Sequence, residues 1–330
     1  SGFVNAILRS VIREQDSIGI EDLAANDIEA ISFIYNVPLW LINLWISEFG
    51  RDKTEDLCAW FNEQPKLTAR INTILIDIPQ CLTMLNEQGW AVTQDSNYED
   101  IIYINSHRGS LEKSEAFIKG YITFMDKASM LVARLVNPQP GERILDCCAA
   151  PGGKSMYMAT LMDNVGSLMS CDIHEHKIEL MNSNADRLGA SIVHTKVQDA
   201  TKLPDSWNSY FDRVLVDAPC SGLGILQKKL DMRWRKQESI LSELPPLQLA
   251  ILERAAMTVK EKGYLIYSTC TLNYKENEEV VESFLQKHKE FSIIPVVEDF
   301  PLKSNSGMIT TYPPTDDMDG FFMVKMQRIS

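Results

Sequence analysis

The spacing of apolar residues changes twice along this chain of 330 residues. In residues 1–50 apolar positions recur every three or four residues, as at Phe3 and Ile7, which is the spacing of amphipathic helices. Pro38 and Gly50 mark the start and the end of one such helix. The first 50 residues are therefore predicted to be helical. Because the chain starts inside an apolar helix, we expect the remnant of a larger helical domain.

Residues 51–125 have a mixed pattern, which predicts a small α+β unit. The run from Arg70 to Ile76 alternates polar and apolar residues, as a half-buried strand does. Arg70 is accordingly expected to lie on the surface of this unit.

From residue 126 onward short apolar runs alternate with helical stretches. Strands are predicted near 143–147, 168–172, 191–196, 212–217, 263–268 and 291–296, and helices near 153–163, 174–188, 246–261 and 275–288. A last strand over 320–326 has no helix after it. This alternation predicts an α/β fold with a doubly wound, mostly parallel sheet over residues 126–330.

Composition narrows the class of protein. The chain is 45% hydrophobic and 23% charged, which is ordinary for a globular protein, and no apolar run reaches the ~20 residues that a bilayer span needs. Seven cysteines without regular spacing argue against a disulfide framework, and neither they nor the five histidines form a zinc-ligand pattern. No leader peptide is evident. We therefore expect a cytoplasmic monomer without membrane contact or bound metal.

The net charge of −13 argues mildly against a nucleic-acid partner. One basic strip runs against this balance, and it comprises Lys228, Lys229, Arg233, Arg235 and Lys236 around Trp234. Clustered cations beside an aromatic ring suit a groove that follows a phosphate backbone. A solvated helix face can have the same composition. Only the position of this strip, soon after Cys220, favours binding of a nucleic-acid backbone.

The loop after the first strand of the α/β region is suited to a cofactor. Gly152 and Gly153 precede a predicted helix, so the backbone can approach a ligand and helix-start amides can hold negative charge. A phosphate-binding P-loop is excluded, because the required first glycine is replaced by Cys148. The Gly-x-Gly-x-x-Gly pattern of dinucleotide-binding folds is also absent.

Acidic residues follow the next two strands. Asp172 ends the second strand, where a carboxylate can accept hydrogen bonds from ribose hydroxyls. Asp199 follows the third strand and is placed to accept from an adenine amino group. Each acid taken singly is an ordinary helix cap. Three such strand ends in this order favour a nucleoside cofactor.

Two cysteines follow buried-strand patterns fifty residues apart. Cys220 ends the run Val214–Cys220, and Cys270 ends the run Tyr264–Cys270. The carboxyl ends of parallel strands meet at one edge of a sheet, so both thiols are expected to face one cavity. Buried cysteines often serve only as small hydrophobic residues. We take that interpretation for Cys58, Cys81, Cys147 and Cys171.

These motifs resemble a known family. Cys147–Ser155, Asp217–Gly222, Ser268–Thr271 and Asp319–Phe322 resemble the motifs of the RNA (cytosine-5)-methyltransferases of the Sun/Fmu group, whose catalytic domain is Rossmann-like. Gly2–Arg9 resembles the last helix of the NusB-like domain that precedes the enzyme in the bacterial RsmB branch. The resemblance covers essentially the whole chain. One departure is Met125–Asp126, where the family usually has Gln-Asp.

The resemblance implies a cofactor, a substrate and a set of site residues. It implies that S-adenosylmethionine is bound by Cys148, Ala149, Ala150, Pro151, Gly152, Gly153, Lys154, Asp172, Asp199 and Asp217. It further implies that Cys270 is the nucleophile and Cys220 its partner. On chemical grounds Cys220 can help to remove the C5 proton or trigger release, and Asp217 can hydrogen-bond to N3 of the base or protonate it. The implied substrate is a cytosine of RNA, most of all small-subunit ribosomal RNA.

Other functions compete with this one. The chain could methylate another RNA such as tRNA, or DNA or protein, or it could be a non-catalytic RNA-binding assembly factor. In DNA cytosine-5 enzymes the Pro-Cys thiol is itself the nucleophile, so the separate thiol of Cys270 favours RNA. Arg70, Asn72 and the strip from Lys228 to Lys236 are candidates for contacts with the RNA backbone.

Overall fold

The structure is a computed structural model that describes residues 2–14, 27–296, 300–304 and 306–329. The helices are α1 (Gly2–Glu14), α2 (Asp27–Tyr35), α3 (Leu39–Phe49), α4 (Arg51–Asn62), α5 (Ile78–Glu87), α6 (Glu115–Ile118), α7 (Lys127–Val136), α8 (Gly153–Leu161), α9 (Glu175–Leu188), α10 (Met232–Arg235), α11 (Ile240–Ala256), α12 (Glu278–Lys287) and α13 (Pro313–Asp316). The strands are β1 (Thr68–Ile71), β2 (Ala91–Gln94), β3 (Ile101–Ser106), β4 (Ile122–Phe124), β5 (Arg143–Asp146), β6 (Ser167–Asp172), β7 (Val193–Val197), β8 (Phe211–Asp217), β9 (Val259–Thr269), β10 (Phe291–Ile293), β11 (Met308–Thr310) and β12 (Phe322–Arg328).

The chain divides into two compact units. One comprises Ser1–Glu63 with Lys229–Glu238, and the other comprises Gln64–Lys228 with Ser239–Ser330. The helical unit thus includes α4 and extends beyond residue 50, where the sequence suggested a boundary. The reason is packing, since Phe61 of α4 is fully buried and lies 5.6 Å, ring to ring, from Trp45 of α3.

In the helical unit α2, α3 and α4 each bury part of their apolar residues, among them Ile31, Trp45 and Phe61, whereas α1 has no buried side chain. Pro38 and Gly50 flank α3 as the sequence indicates, and Gly50 takes a positive φ of 83°. None of the described helices is long and apolar enough to cross a membrane alone. Helices α2 and α3 pass that test only as a pair, which is bent by 113°.

A four-stranded antiparallel sheet begins the larger unit, in the order β2-β3-β1-β4. The prediction of a half-buried strand up to Ile76 is wrong, because β1 ends at Ile71 and all four of its residues are buried. Asn72 leaves the strand and its side-chain amide donates to the carbonyls of Gly120 and Leu188. These bonds end the strand and turn the chain.

Arg70 and Asn72 were candidates for RNA contact, and that prediction is also wrong. Both residues are fully buried. The Arg70 guanidinium donates to Thr160 Oγ1 at 3.1 Å and lies 5.1 Å from the ring centroid of Tyr157. Both partners belong to α8, so these two residues join the small sheet to the helix that follows the cofactor loop.

The large sheet has the order β10-β12-β9-β8-β5-β6-β7, with β11 paired to β12. Strands β5 to β9 run parallel to their neighbours among themselves, and β10, β11 and β12 pair antiparallel. Helices α7 to α9 and α11 to α12 supply its apolar layers. The predicted doubly wound, mostly parallel sheet is confirmed. Its order reverses between β5 and β8, where such folds bind ligands.

One predicted helix is displaced. The sequence predicted a helix over 246–261, but α11 ends at Ala256 and β9 begins at Val259. The carbonyl of Thr258 accepts hydrogen bonds from the N–H groups of Tyr210 and Phe211. The chain after α11 is thereby drawn directly into the sheet beside β8.

Candidate active site

The loop between β5 and α8 is compact and held by its own backbone. The N–H of Ala149 donates to the carbonyl of Cys171 at 2.7 Å, and the N–H of Gly152 donates to that of Ala149 at 2.7 Å. Gly152 has a φ of 98°, and a Cβ there would lie 3.3 Å from Met156 and from Met181. Only glycine fits this position, so the loop can bring backbone amides close to a ligand.

Lys154, in the first turn of α8, binds the carboxyl end of β8. Its Nζ lies 2.7 Å from Asp217 Oδ2, and Asp217 Oδ1 accepts from the hydroxyl of Ser268 on β9 at 2.7 Å. Burial alone would lower the pKa of Lys154, but attraction to Asp217 outweighs it and the pKa is raised. The same ammonium lies 5.3 Å from the ring centroid of Phe321. The Lys154–Asp217 pair and its neighbours therefore bring together all four of the motifs found in the sequence.

The two cysteines at the ends of β8 and β9 are in contact. Cys220 Sγ lies 3.2 Å from Cys270 Sγ, and the backbone N–H of Cys270 points at Cys220 Sγ at 3.3 Å. Both side chains are partly exposed. The hydrogen bond to Cys270, followed by burial, raises the pKa of Cys220 well above its ordinary value. Cys220 therefore keeps its proton at neutral pH.

Most of the other cysteines differ from this pair. Cys58, Cys81, Cys147 and Cys171 are buried, which agrees with their interpretation as small hydrophobic residues. Cys148 is partly exposed in the loop after β5, but burial of its thiol raises its pKa well above the ordinary value. A protonated thiol at this position can pack against a ligand without acting as a nucleophile.

Asp172 and Asp199 lie where the sequence places them, Asp172 as the last residue of β6 and Asp199 after β7. Asp172 Oδ1 accepts from the N–H of His174 at 2.9 Å. Asp199 Oδ1 accepts from both the N–H and the hydroxyl of Thr201, which lowers the pKa of Asp199. Each acid thus caps the turn that follows it, so a role toward a cofactor is additional to that of a cap.

Comparison with known proteins identifies the family. Residues 133–327 match the family described as 16S rRNA methyltransferase RsmB/F, and residues 37–109 match the ferredoxin-like domain of RsmF/B-like methyltransferases. The chain belongs to the RsmB/F family of 16S rRNA methyltransferases.

Relatives of the RsmB/F family extend over nearly the whole chain. A probable ribosomal RNA small subunit methyltransferase B of Bacillus subtilis is 36% identical, over 99% of this chain and 74% of the relative. The protein of that name from Synechocystis is also 36% identical, over 89% of this chain and 67% of the relative. NSun6 from Pyrococcus horikoshii, solved with SFG, shares the fold with a TM-score of 0.79 at 21% identity, covering 87% of this chain and 97% of NSun6.

This RsmB/F chain is an RNA methyltransferase with S-adenosylmethionine as its cofactor. The predictions of the family, the Rossmann-like fold and the cofactor are thereby confirmed. The roles of the individual site residues remain predictions. In the described parts of the chain no group of three or more histidine, cysteine or acidic side chains is arranged to hold a metal ion.

The predicted basic strip of this RsmB/F chain is not one surface. Lys228 is held by the carboxylates of Asp126 and Asp319, and Arg233 is buried, donating to the carbonyl of Phe61 at 2.7 Å. The prediction of an accessible cation is therefore wrong for Arg233, whereas Lys228 is exposed but paired with two carboxylates. Trp234 remains 58% exposed. The remaining cations, Lys229, Arg235 and Lys236, are still candidates for phosphate contact.

Met125, which stands where the family usually has glutamine, lies beside the cofactor loop. A Cβ built on Gly153 would lie 3.6 Å from Met125 Sδ, which is ordinary contact distance. The following Asp126 caps α7 by accepting from the N–H of Ala128 at 2.8 Å. The departure from the family pattern thus places a thioether against the start of α8.

Asp146 is a residue of the site that the sequence analysis missed. It is fully buried at the end of β5, and its Oδ2 accepts from the hydroxyl of Ser155, which in turn accepts from that of Ser170. Its Oδ1 has no partner among the described residues. Burial raises the pKa of Asp146 to about 7. A single acid inside an apolar run was the sequence signal that could have found it.

The raised pKa of Asp146 predicts a pH dependence of stability. The folded protein keeps this proton up to about pH 7, whereas the unfolded chain loses it near its ordinary value of 3.8. The unfolded state therefore binds fewer protons in this window, so the free energy of unfolding should fall as the pH rises from 4 to 7. Urea denaturation at intervals across this window should show that the free energy of unfolding of wild type falls by a few kcal/mol more than that of Asp146→Asn.

The exposed Asp186 in α9 provides the control, since Asp186→Asn should leave the pH dependence unchanged. Asp319 has a pKa raised to about 7 by burial and acts in the same direction, so part of the slope should persist in Asp146→Asn. An unchanged slope in that variant would show that Asp146 is ionised in the folded protein.

Proposed function

We propose that the protein transfers a methyl group from S-adenosylmethionine to C5 of a cytosine in RNA, through a covalent bond between Cys270 and C6. The 3.2 Å contact between Cys220 and Cys270 carries this proposal. A methyl transfer to an electron-rich nitrogen or oxygen requires no thiol at all. Addition to a pyrimidine requires one thiol, and a second thiol in contact with it can assist elimination. Two partly exposed thiols lie at one sheet edge here, beside the Lys154–Asp217 pair.

The addition step explains why a thiol is needed. C5 of cytosine is a poor nucleophile, and a thiolate that adds to C6 pushes electron density onto it. After methylation the C5 proton must leave, and the electrons of that C–H bond then expel the Cys270 thiolate. These two steps restore the aromatic ring and regenerate the free enzyme.

The two thiols have different roles in this scheme. Cys270 is the nucleophile in this scheme, because the raised pKa of Cys220 makes Cys220 the less reactive of the two thiols. The Lys154 ammonium is attracted to Cys270 as well as to Asp217, and a nearby cation favours a thiolate. Cys220 is in contact with the reacting sulfur and assists release of the base: its thiol gives its proton to the departing Cys270 sulfur, and the Cys220 thiolate so formed accepts the C5 proton. Asp217 contacts N3 of the cytosine and helps to stabilise the charge that develops there.

The residues at this edge of the sheet fit S-adenosylmethionine, which supplies the methyl group as an electrophilic sulfonium. The Cys148–Lys154 loop presents its backbone around Gly152, where a φ of 98° and tight contacts with Met156 and Met181 disfavour any side chain. Asp172 holds the ribose hydroxyls and Asp199 holds the adenine amino group. Both are acceptors, which matches the donors of a nucleoside.

We propose small-subunit (16S) ribosomal RNA as the substrate, because the relatives of this chain carry that substrate in their names. We further propose that residues 126–330 catalyse the reaction, that residues 51–125 bind RNA and that residues 1–50 are the end of a NusB-like domain. A target base has to leave its stack before a thiol can reach C6.

Product analysis tests the proposed function. The protein should be incubated with S-adenosylmethionine carrying a labelled methyl group and with unmodified 16S ribosomal RNA, naked or in small subunits. We expect 5-methylcytidine after nuclease digestion and mass spectrometry. A label on another atom of the base, or on ribose, would refute the thiol mechanism. Label in tRNA but not in 16S ribosomal RNA would keep the chemistry and replace the substrate.

A further inference from the structure

The carboxylate of Glu276 is completely buried behind the Cys220 loop. Its Oε2 accepts from the backbone N–H of Ser221 at 2.8 Å and from Gln248 Nε2 at 2.9 Å. Its Oε1 accepts from the hydroxyl of Ser221 and from Asn273 Nδ2 at 3.0 Å. Two of these four donors belong to the residue that directly follows Cys220.

The next residue, Asn277, holds the chain on both sides of Cys270. Its Oδ1 accepts from the hydroxyl of Thr269, and its Nδ2 donates to the carbonyl of Thr271 at 3.0 Å. Asn277 is buried, with a φ of −110° and a ψ of −98°, which is outside regular helix and strand geometry. One short segment thus fixes the chain around both thiols.

A further hydrogen bond joins the two thiol loops directly. The hydroxyls of Ser221 and Thr271 lie 2.8 Å apart. Because Ser221 donates its proton to Glu276, Thr271 is the donor in this bond. The order Thr271 to Ser221 to Glu276 forms a chain of hydrogen bonds that ends on a negative charge, and such chains are strengthened by cooperativity.

Glu276 also differs from a simple structural acid in its electrostatics. A buried carboxylate is costly unless its hydrogen bonds are satisfied, and here the four donors are all neutral. This carboxylate is fixed close to Cys220 by its four hydrogen bonds. It adds to the contact with Cys270 and to burial in raising the pKa of Cys220.

We propose that Glu276 is a positioning residue which holds the Cys220 loop against the end of β9 and reserves the negative charge of the thiol pair for Cys270. This inference rests on the proposed thiol mechanism. The inference has two parts. The geometric part, positioning of the Cys220 loop, predicts an effect on the rate of the reaction. The charge part predicts an effect on which of the two sulfur atoms is the more reactive.

Site-specific alkylation with iodoacetamide tests the charge part without RNA. Glu276→Gln removes the charge, and the Ser221 hydroxyl can rotate to accept from the new amide. We expect alkylation of Cys220 relative to Cys270, measured by peptide mass spectrometry, to rise about tenfold at a fixed pH, as for a thiol pKa lowered by one unit. Glu279→Gln, an exposed neighbour on α12, is the matched control and should behave as wild type.

The comparison of Glu276→Gln with wild type requires that the other titratable groups around Cys220 and Cys270 keep their positions. They are Cys270 itself, Lys154 and Asp217 on the cofactor side, and the buried Tyr267, whose pKa is raised by burial and by Cys220. Calorimetry should show equal S-adenosylmethionine affinity in Glu276→Gln and wild type. Equal affinity indicates that the site around the two thiols is intact. An unchanged ratio of alkylation in such a protein would overturn the charge part.

Ser221→Ala tests the geometric part and keeps the carboxylate. Loss of one donor should lower kcat about tenfold with KM for RNA unchanged, because a displaced reacting group affects chemistry rather than binding. Glu276→Asp should keep the wild-type alkylation ratio but not the wild-type kcat. A wild-type kcat in both would overturn the positioning role. Methylation of an atom other than C5 would instead refute the proposed function and leave the alkylation result interpretable.

Discussion

Replacement of Cys270 with alanine should abolish methyl transfer and prevent formation of any covalent complex with RNA. The reason is that no other thiol can take its place. Cys220 retains its proton beside Cys270, and the remaining cysteines of the catalytic region are buried or have strongly raised pKa values. Loss of a nucleophile typically lowers kcat by several orders of magnitude, on the order of 10⁶-fold where it has been measured in a serine protease.

Replacement of Cys220 should have the opposite effect on the covalent complex. In Cys220→Ala the attack by Cys270 remains possible, but proton removal and release lose their assistance. The protein–RNA adduct should therefore accumulate while turnover falls. A denaturing gel with labelled RNA and S-adenosylmethionine shows the adduct as a band of reduced mobility.

Cys81→Ala is a suitable control for this pair of variants, because Cys81 is a buried thiol of the four-stranded sheet region. It should give neither a stable adduct nor a loss of turnover. An adduct that forms in Cys270→Ala but not in Cys220→Ala would exchange the two roles, as in the DNA cytosine-5 enzymes.

The sequence predicted the thiol contact because strand ends are governed by a simple rule. Cys220 and Cys270 each follow a buried strand, and parallel strands present their carboxyl ends at one edge. Strands β8 and β9 are also direct neighbours in the sheet. The glycine loop and Asp217 were located in the same way, since all of them are defined by where a strand stops.

The residues that escaped prediction act through tertiary contacts. Glu276 is followed closely by Glu278 and Glu279, and nothing in the local sequence distinguishes the buried acid from its neighbours. Only the approach of Ser221 and Gln248 from other elements does so. Arg233 was misassigned for the same reason. Its hydrogen-bond acceptors, which are Asn62 Oδ1 and the backbone carbonyls of Phe61 and Tyr35, lie 171, 172 and 198 positions away in the chain.

Arg70 shows how far local pattern can mislead. Alternation of polar and apolar residues placed it on the surface, yet its side chain is enclosed by the small sheet and α8. Burial lowers the pKa of the guanidinium to about 10, which still leaves it charged at neutral pH. Its Nε and one terminal nitrogen have no partner among the described residues. A charge that is poorly satisfied in this way is a cost to the folded state.

Substitutions at Arg70 should therefore distinguish the contribution of its packing to stability from the cost of its buried charge. Arg70→Ala leaves a cavity beside Tyr157 and should lower the free energy of unfolding by about 2–5 kcal/mol. Arg70→Met fills most of that volume without the buried charge, so its stability should equal or exceed that of wild type. Arg108, exposed in the same small-sheet region, gives the control, and Arg108→Met should change stability by about 0.5 kcal/mol or less. Urea denaturation at pH 7 measures all three.

The salt dependence of RNA binding decides between the structural role of Arg70 and the role that its sequence position suggested. A residue that neutralises a phosphate releases a counterion, and its loss reduces the slope of log K against log salt by about 0.7 for single-stranded RNA. We expect no change in this slope for Arg70→Met, because a fully buried guanidinium does not reach a phosphate. A reduced slope in a variant of wild-type stability would mean that the small sheet opens when RNA binds and exposes Arg70. In that case the contact between β1 and α8 would be part of substrate recognition rather than a fixed joint of the fold.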